Sequence, residues 1–253
     1  MARSEGFQFK QFYLRHDRCA MKVGTDGVLL GAWTPVPIAD GTQVVRILDV
    51  GTGCGLIARM LMQRCPEAEV EGIDIDEAAV EQACENGVKA YCSSLQEWQI
   101  VNPKSQIANR KSSIVNRKSS NRKSYDLVVS NPPYFRNSLK NPDAGRQLAR
   151  HTDSLSYEEL FLHSRRLLAP NGQLALILPA ETEAEVIELA TQHSLYCTRM
   201  TRVYGRAGKA AKRILLLFDP EKTNVPETDT LVLESADGGR SPQYSALAKD
   251  FYL

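Results

Sequence analysis

The residues in this chain whose types and spacing could do chemistry are Asn131-Pro132-Pro133-Tyr134. They follow Tyr125-Asp126-Leu127-Val128-Val129-Ser130, an apolar run that reads as a buried strand. The four residues therefore sit at a strand's carboxyl end, the edge at which open α/β sheets bind ligands. The Asn131 amide oxygen and the Pro132 backbone carbonyl can both accept hydrogen bonds. Two prolines stiffen the backbone that presents them, and Tyr134 offers a ring for stacking. Such a corner suits a planar amine, with two acceptors for its N–H groups and an aromatic face to hold its plane. The same four letters also describe a plain strand-to-loop turn, because Asn-Pro initiates turns.

A second constellation lies upstream. Val44 to Val50 reads as a buried parallel strand, Gly51-Thr52-Gly53-Cys54-Gly55 as a turn, and Leu56 to Met62 as the start of a helix that ends near Pro66. Glycines allow positive φ and close backbone approach to a ligand. The spacing is G-x-G-x-G, unlike the G-x-G-x-x-G of nicotinamide-binding units. Asp49, two residues before Gly51, would repel a pyrophosphate but suits an ammonium group. The next strand, Glu69 to Asp74, ends in a carboxylate 19 residues after Gly55, where an acid can hold ribose hydroxyls. Asp76 caps the helix that starts at Glu77. Asp49, the three glycines and Asp74 together favour a nucleoside with a cationic tail, a description that S-adenosylmethionine fits.

With these motifs in hand, the chain resembles the class I S-adenosylmethionine-dependent methyltransferases. Asp49 to Gly55 resembles that superfamily's first motif, and Asn131 to Tyr134 its amino-methylating motif. The blocks Phe7 to Phe12, His16 to Trp33, Ser130 to Phe135, His151-Thr152-Asp153 and Tyr244 to Leu253 resemble the bacterial tRNA1(Val) adenine-N6 methyltransferase family. The resemblance implies a Rossmann-like, doubly wound, mainly parallel seven-stranded sheet with an antiparallel last strand. It implies methylation of the N6 amine of adenine 37 in valine tRNA, with S-adenosylmethionine as cofactor. It implies that residues 1–40 form an extension covering the cofactor site and that 41–253 form the methyltransferase domain. By the same likeness Lys22, Thr25 and Asp26 close over the cofactor's methionine end, Ser94 and Leu95 meet its adenine, and Tyr134 stacks the target base, with Phe135 beside it or in the core. Catalytic roles fall to Asn131, Pro132 and Tyr134, and Asn131 also borders the cofactor. Protein-glutamine methylation in release factors is an alternative, since the same corner can accept hydrogen bonds from a carboxamide, and so is a non-catalytic RNA-binding module.

The elements that must position these groups follow from periodicity. Glu77 to Ala90 reads as a helix, Tyr91 to Ser93 as a short strand, and Ser156-Tyr157-Glu158-Glu159 as a capping box opening a helix through Leu168. Gln173 to Pro179, Leu195 to Tyr204 and Arg213 to Phe218 read as strands, Ala180 to His193 as a helix, and Leu231 to Leu233 as a further edge strand. Alternating strands and helices imply a mainly parallel sheet. Thr25 or Asp26 is a plausible cap for the helix through Trp33, Met21 and Trp33 read as core, and His16 as a surface or local hydrogen-bonding residue.

The 253 residues, 43% of them hydrophobic, suffice for one generous domain. Six scattered cysteines with no C-x-x-C pair argue against a zinc knuckle or redox motif and for reduced thiols in the cytoplasm. The first residues lack the apolar run of a signal peptide, no segment approaches membrane-spanning length, and no metal is called for. A monomer is the simplest assembly. The net charge of +1 does not itself announce nucleic acid, but basic residues cluster twice. Lys10, Arg15, Arg18 and Lys22 form the early group; Arg199, Arg202, Arg206, Lys209, Lys212 and Arg213 form the late one. Arg206, Lys209, Lys212 and Arg213 are the candidates for tRNA phosphates. Between about 102 and 124, Asn-Arg-Lys-Ser recurs three times with seven Lys or Arg and no acid. Such a stretch cannot bury enough apolar surface to order itself, and it reads as a tolerated surface insert rather than an RNA-binding arm.

Overall fold

Short, strongly apolar runs bounded by glycine, proline and acids condense here into strands, and the longer amphipathic stretches into helices that cover them. The computed structural model describes residues 5–38, 44–99, 124–133, 155–222 and 225–252. In chain order these hold β1 (Gly6–Gln8), β2 (Tyr13–Arg15), α1 (Thr25–Trp33), β3 (Arg46–Val50), α2 (Leu56–Arg64), β4 (Glu69–Asp74), α3 (Glu77–Glu85) and β5 (Lys89–Cys92). Then come β6 (Tyr125–Ser130), α4 (Tyr157–Leu167), β7 (Leu168–Pro179), α5 (Glu183–Gln192), β8 (Tyr196–Arg206), β9 (Ala211–Asp219), β10 (Glu227–Glu234) and α6 (Pro242–Leu247).

The main sheet has the order β10-β8-β9-β7-β6-β3-β4-β5 among the described residues. Neighbours from β5 across to β7 are parallel, β9 runs antiparallel to both β7 and β8, and β10 lies parallel to β8. This is the doubly wound, mainly parallel sheet implied by the sequence, with β9 as its antiparallel strand. It has eight strands among the described residues instead of seven, because the edge segment expected at Leu231 to Leu233 lengthens to β10, so the antiparallel strand is not the last. The order reverses between β3 and β6, and the crevice beyond their carboxyl ends is where such sheets bind ligands.

Alternate residues of each strand enter opposite cores. Ile47, Leu127, Val129, Ala175 and Leu215 pack under α1 and α2, while Leu48, Val128, Leu174, Leu176 and Leu216 pack under α4 and α5. The β1–β2 hairpin belongs to the first core: Phe9, Phe12 and Leu14 are buried in it with Tyr244 and Phe251, and the Lys10 amide donates to the Phe251 carbonyl at 2.8 Å. Residues 5–38 thus share the main core rather than building their own. α1 approaches α2 closely because Gly27 and Gly31 carry no side chain; a Cβ at Gly27 would stand 2.8 Å from Leu56 Cδ2, and one at Gly31 2.8 Å from Met60 Sδ.

Several expectations need correction. α3 stops at Glu85, not Ala90, because Gly87 adopts φ +85°. The Val88 amide then bonds back to the Ala83 carbonyl at 2.9 Å, the closure of a Schellman motif, so β5 begins at Lys89. β7 starts at Leu168 and carries Pro170-Asn171-Gly172 as an irregularity, for Tyr125 faces Leu168 while Leu127 already faces Gln173. Neither Thr25 nor Asp26 caps α1: the cap position is Gly24, with no side-chain bond. Met21 is exposed, not core. His16 is buried rather than on the surface, but it is the local hydrogen-bonding residue expected as the alternative: its Nδ1 accepts from the Val23 amide at 3.4 Å.

Candidate active site

Registers align the candidate residues along one edge. Val50 pairs with Ile73 and with Ser130, and Asp74 with Cys92. Gly51, Asp74, Ser94 and Asn131 consequently leave the carboxyl ends of four adjacent strands. Asn131 stands one residue beyond the Val50–Ser130 pair, beside the glycine turn, with hydrogen-bonded strands about 4.8 Å apart. The two strand ends are also tied directly, since the Ser130 hydroxyl donates to the Val50 carbonyl at 2.8 Å. Asn131 is half-buried, Pro132 buried and Pro133 exposed. Tyr134, Phe135, the His151-Thr152-Asp153 block and the basic insert lie outside the described residues.

The turn between β3 and α2 is built from backbone. Gly51, Gly53 and Gly55 have φ of +70°, +54° and +84°, values that favour glycine. A Cβ on Gly51 or Gly53 would meet nothing within 4 Å, so both face open space, whereas one on Gly55 would stand 2.7 Å from Val88 Cγ2. The amides of Gly51 and Thr52 donate to the Ile73 carbonyl at 2.9 and 3.0 Å. Asp74 closes the turn from β4: its Oδ2 accepts from the Gly53 amide at 2.8 Å and its Oδ1 from the Asp76 amide at 3.0 Å. A carboxylate has lone pairs for further donors after these two.

Asp49 is completely buried. Its Oδ2 accepts from the Thr52 hydroxyl at 2.8 Å and the Ala58 amide at 3.2 Å, while Oδ1 has no partner among the described residues. Burial pushes its carboxyl up to about 7; the bonds from Thr52 and Ala58 oppose this and the nearby Asp74 charge adds to it. A buried acceptor without a donor, beside a glycine cradle that a Cβ would fill, fits a ligand that brings an ammonium group and close backbone contact.

Some positioning residues escape a reading by motif. Asn86, at the end of α3, donates from its amide nitrogen to the carbonyls of Arg15 and Cys54, each at 2.8 Å, and accepts from the Arg15 amide at 2.9 Å. It pins the N-terminal hairpin to the glycine turn. Gln82, fully buried, accepts from the Arg18 amide at 3.1 Å and donates to Asp17 at 2.8 Å. Gly72 makes room for Thr52: a Cβ there would lie 2.8 Å from Thr52 Oγ1. The only sequence signal for Gln82 and Gly72 is a polar residue or a glycine inside an element; Asn86, the C-cap of α3, carries none beyond its place before Gly87. Leu95 lies mostly in the second core, and Ser94, half-buried, accepts from the Glu97 amide at 3.3 Å. Lys22 and Thr25 are exposed beside the start of α1.

The basic groups divide. In the early cluster Arg15 pairs with Asp17, Arg18 with Glu81 and Glu85, and Lys10 Nζ donates to the Lys249 carbonyl. Late in the chain Arg202 pairs with Glu183, Arg206 with Glu234 at 2.5 Å and Arg213 with Asp26 at 2.8 Å. Lys209 and Lys212 are exposed on the β8–β9 hairpin with no ion pair among the described residues. Because Arg213 faces Pro179, the last residue of β7, this hairpin projects from the same carboxyl edge as the glycine turn.

Comparison with known proteins identifies relatives of the chain. A family model described as the methyltransferase small domain matches residues 38–201. A Bacteroides fragilis protein named tRNA1(Val) (adenine(37)-N6)-methyltransferase is 42% identical over 252 residues, 98% of this chain and 97% of its own. A Parabacteroides distasonis protein of the same name is 45% identical over 248 residues, again 98% and 97%. Among solved structures, a predicted O-methyltransferase from Agrobacterium tumefaciens superposes with a TM-score of 0.59 at 18% identity, covering 89% of this chain and 96% of that one. At that identity the likeness shows the fold alone.

Proposed function

The chain belongs to the methyltransferase small-domain family and to the family of tRNA1(Val) (adenine(37)-N6)-methyltransferases, and we infer that it methylates the N6 amine of adenosine 37 in that tRNA with S-adenosylmethionine. The observation that carries the reading is the Val50–Ser130 pairing, which sets Asn131 beside the glycine turn at the switch point of the sheet. Likeness over nearly the whole chain, N-terminal block included, favours tRNA over release factors.

S-adenosylmethionine supplies a methyl group on a positively charged sulfur. The chain's part is to hold and prepare. Gly51, Gly53 and Gly55 let backbone come close to the cofactor, Asp49 offers its unsatisfied oxygen to the ammonium group, and Asp74 reaches the ribose. Ser94 and Leu95 border the adenine, and Lys22 and Thr25 the methionine end. The target amine is a poor nucleophile because its lone pair is delocalised into the ring. Hydrogen bonds accepted by the Asn131 side chain and the Pro132 carbonyl raise electron density on nitrogen and favour its pyramidal form, which stabilises the transition state more than the ground state. Tyr134 stacks the extruded base, with Phe135 beside it. No general base is required before attack, since the proton can leave afterwards. Lys209 and Lys212 meet tRNA phosphates, with Arg206 near them. In this reading the protein works as a monomer in the cytoplasm.

The test is incubation with methyl-labelled S-adenosylmethionine, unmodified tRNA1(Val) and release factors, followed by nucleoside mass spectrometry. N6-methyladenosine at position 37 is the expected product. Label in protein, or none, would refute the reading.

A further inference from the structure

The β8–β9 hairpin and the first turn of α1 are far apart in sequence but share one guanidinium. Arg213 Nε donates to Asp26 Oδ2 at 2.8 Å, and Arg213 Nη1 donates to the Lys212 carbonyl at 3.0 Å. Arg213 is itself fixed in the sheet, opposite Pro179 of β7 and Val203 of β8. Asp26 is followed by Gly27, where a Cβ would stand 2.8 Å from Leu56 Cδ2, and Leu56 follows Gly55 of the glycine turn. A continuous line of contacts thus runs from the basic hairpin through Arg213, Asp26 and α1 to the glycine cradle. The two side chains are 30% and 25% exposed, so salt screens this pair less than a fully solvated one.

We propose that Asp26 and Arg213 are positioning residues, an ion-paired strut that sets the RNA-docking hairpin at a fixed distance from the cofactor cradle. The proposal rests on the reading of Lys209 and Lys212 as phosphate contacts. It reassigns both members of the pair: Arg213 serves the hairpin's placement rather than a phosphate, and Asp26 serves Arg213 rather than the methionine end of the cofactor. RNA seated on the hairpin delivers its base to Asn131 only if the spacing between the two edges is held.

A strut and a phosphate contact differ in salt dependence. Removing a phosphate contact lowers the slope of log affinity against log salt by roughly one; removing a strut leaves it unchanged. A misplacement of reacting groups by about 1 Å instead lowers turnover, by up to about 100-fold. The experiment measures kcat, tRNA affinity at several salt concentrations and thermal unfolding for the full chain, using unmodified tRNA1(Val) transcript. The variants are Asp26→Asn, Arg213→Gln, their double, the charge swap Asp26→Arg with Arg213→Asp, and Lys209→Ala with Lys212→Ala. Each single variant is expected to lose kcat with the salt slope of the unmodified protein. The double should be no worse than either single, as for partners in one interaction, and the swap should recover most of the turnover. A slope reduced by about one in Arg213→Gln, or a kcat loss there that Asp26→Asn does not share, overturns the strut. Should Arg213→Gln fail to fold, Asp26→Asn decides alone, because unchanged kcat in it overturns the proposal. Unchanged slope and affinity in the double-lysine variant would instead remove the docking reading, a result separate from the behaviour of the pair.

Discussion

The roles proposed for Asn131 and Asp49 concern different groups at the same edge, a neutral amine and an ammonium, and each makes a distinct prediction. Asn131→Ala removes one of the two acceptors proposed for the target amine. It should lower kcat by roughly 100-fold or more, the scale of losing one preorganised hydrogen-bonding group, while cofactor affinity by calorimetry stays near normal. Near-normal turnover would remove the role assigned to the amide. Asp49 carries a pH signature. Its folded carboxyl titrates near 7 against an ordinary 3.8, so the folded protein holds a proton that the unfolded chain has released. Its contribution to stability is fully present below the lower value, is lost as pH rises through the upper one, and is constant beyond. An ammonium ligand favours the ionised form, so cofactor affinity should rise with pH up to about 7 and then level off. Asp49→Asn should flatten both profiles. A variant profile that still bends near 7 would assign the titration to another group.

At the scale of elements, the glycine turn keeps its shape through its neighbours. Thr52 is buried and bonds Asp49, and Gly72 of β4 leaves it room. Gly72→Ala would press a methyl group into Thr52 and should destabilise the fold by about 1–3 kcal/mol, as overpacking does, together with weaker cofactor binding. Unfolding temperature and cofactor affinity measure the two effects; an unchanged pair of values would show that Thr52 can move freely. The capping box at Ser156 and the cap at Asp76 were legible because each needs only nearby residues. The end of α3 was not. Helical periodicity continues past Glu85 in the sequence, and the left-handed turn at Gly87 overrides it.

For the whole molecule, electrostatics is a matter of placement rather than total charge. Net charge is +1, and most of the early basic group is matched by acids or a carbonyl, whereas Lys209 and Lys212 stand on a hairpin at the ligand-binding edge. The described residues that flank the basic insert lie elsewhere. Trp98 Nε1 donates to the Tyr125 hydroxyl at 3.1 Å, so the residues flanking the insert meet at the amino end of β6, opposite Asn131. Replacing residues 102–123 with a short linker should leave tRNA affinity within about 2-fold, as loop length changes stability little. A larger loss by filter binding would make the insert an RNA-binding arm.

What the sequence determined by itself was the types of residue that stand at the edge and the order of the elements. Glycines, acids and an Asn-Pro corner report on their own backbone and on the strand just before them, and alternating apolar runs imply a parallel sheet. Tertiary structure alone decided which charged groups satisfy one another. Nothing in the letters pairs Asp26 with Arg213, Asn86 with Cys54 or Thr52 with Gly72, because each contact joins separate elements and depends on register, crossover and helix approach. Those are properties of the packed sheet, and they separate the cations offered to a ligand from those already held.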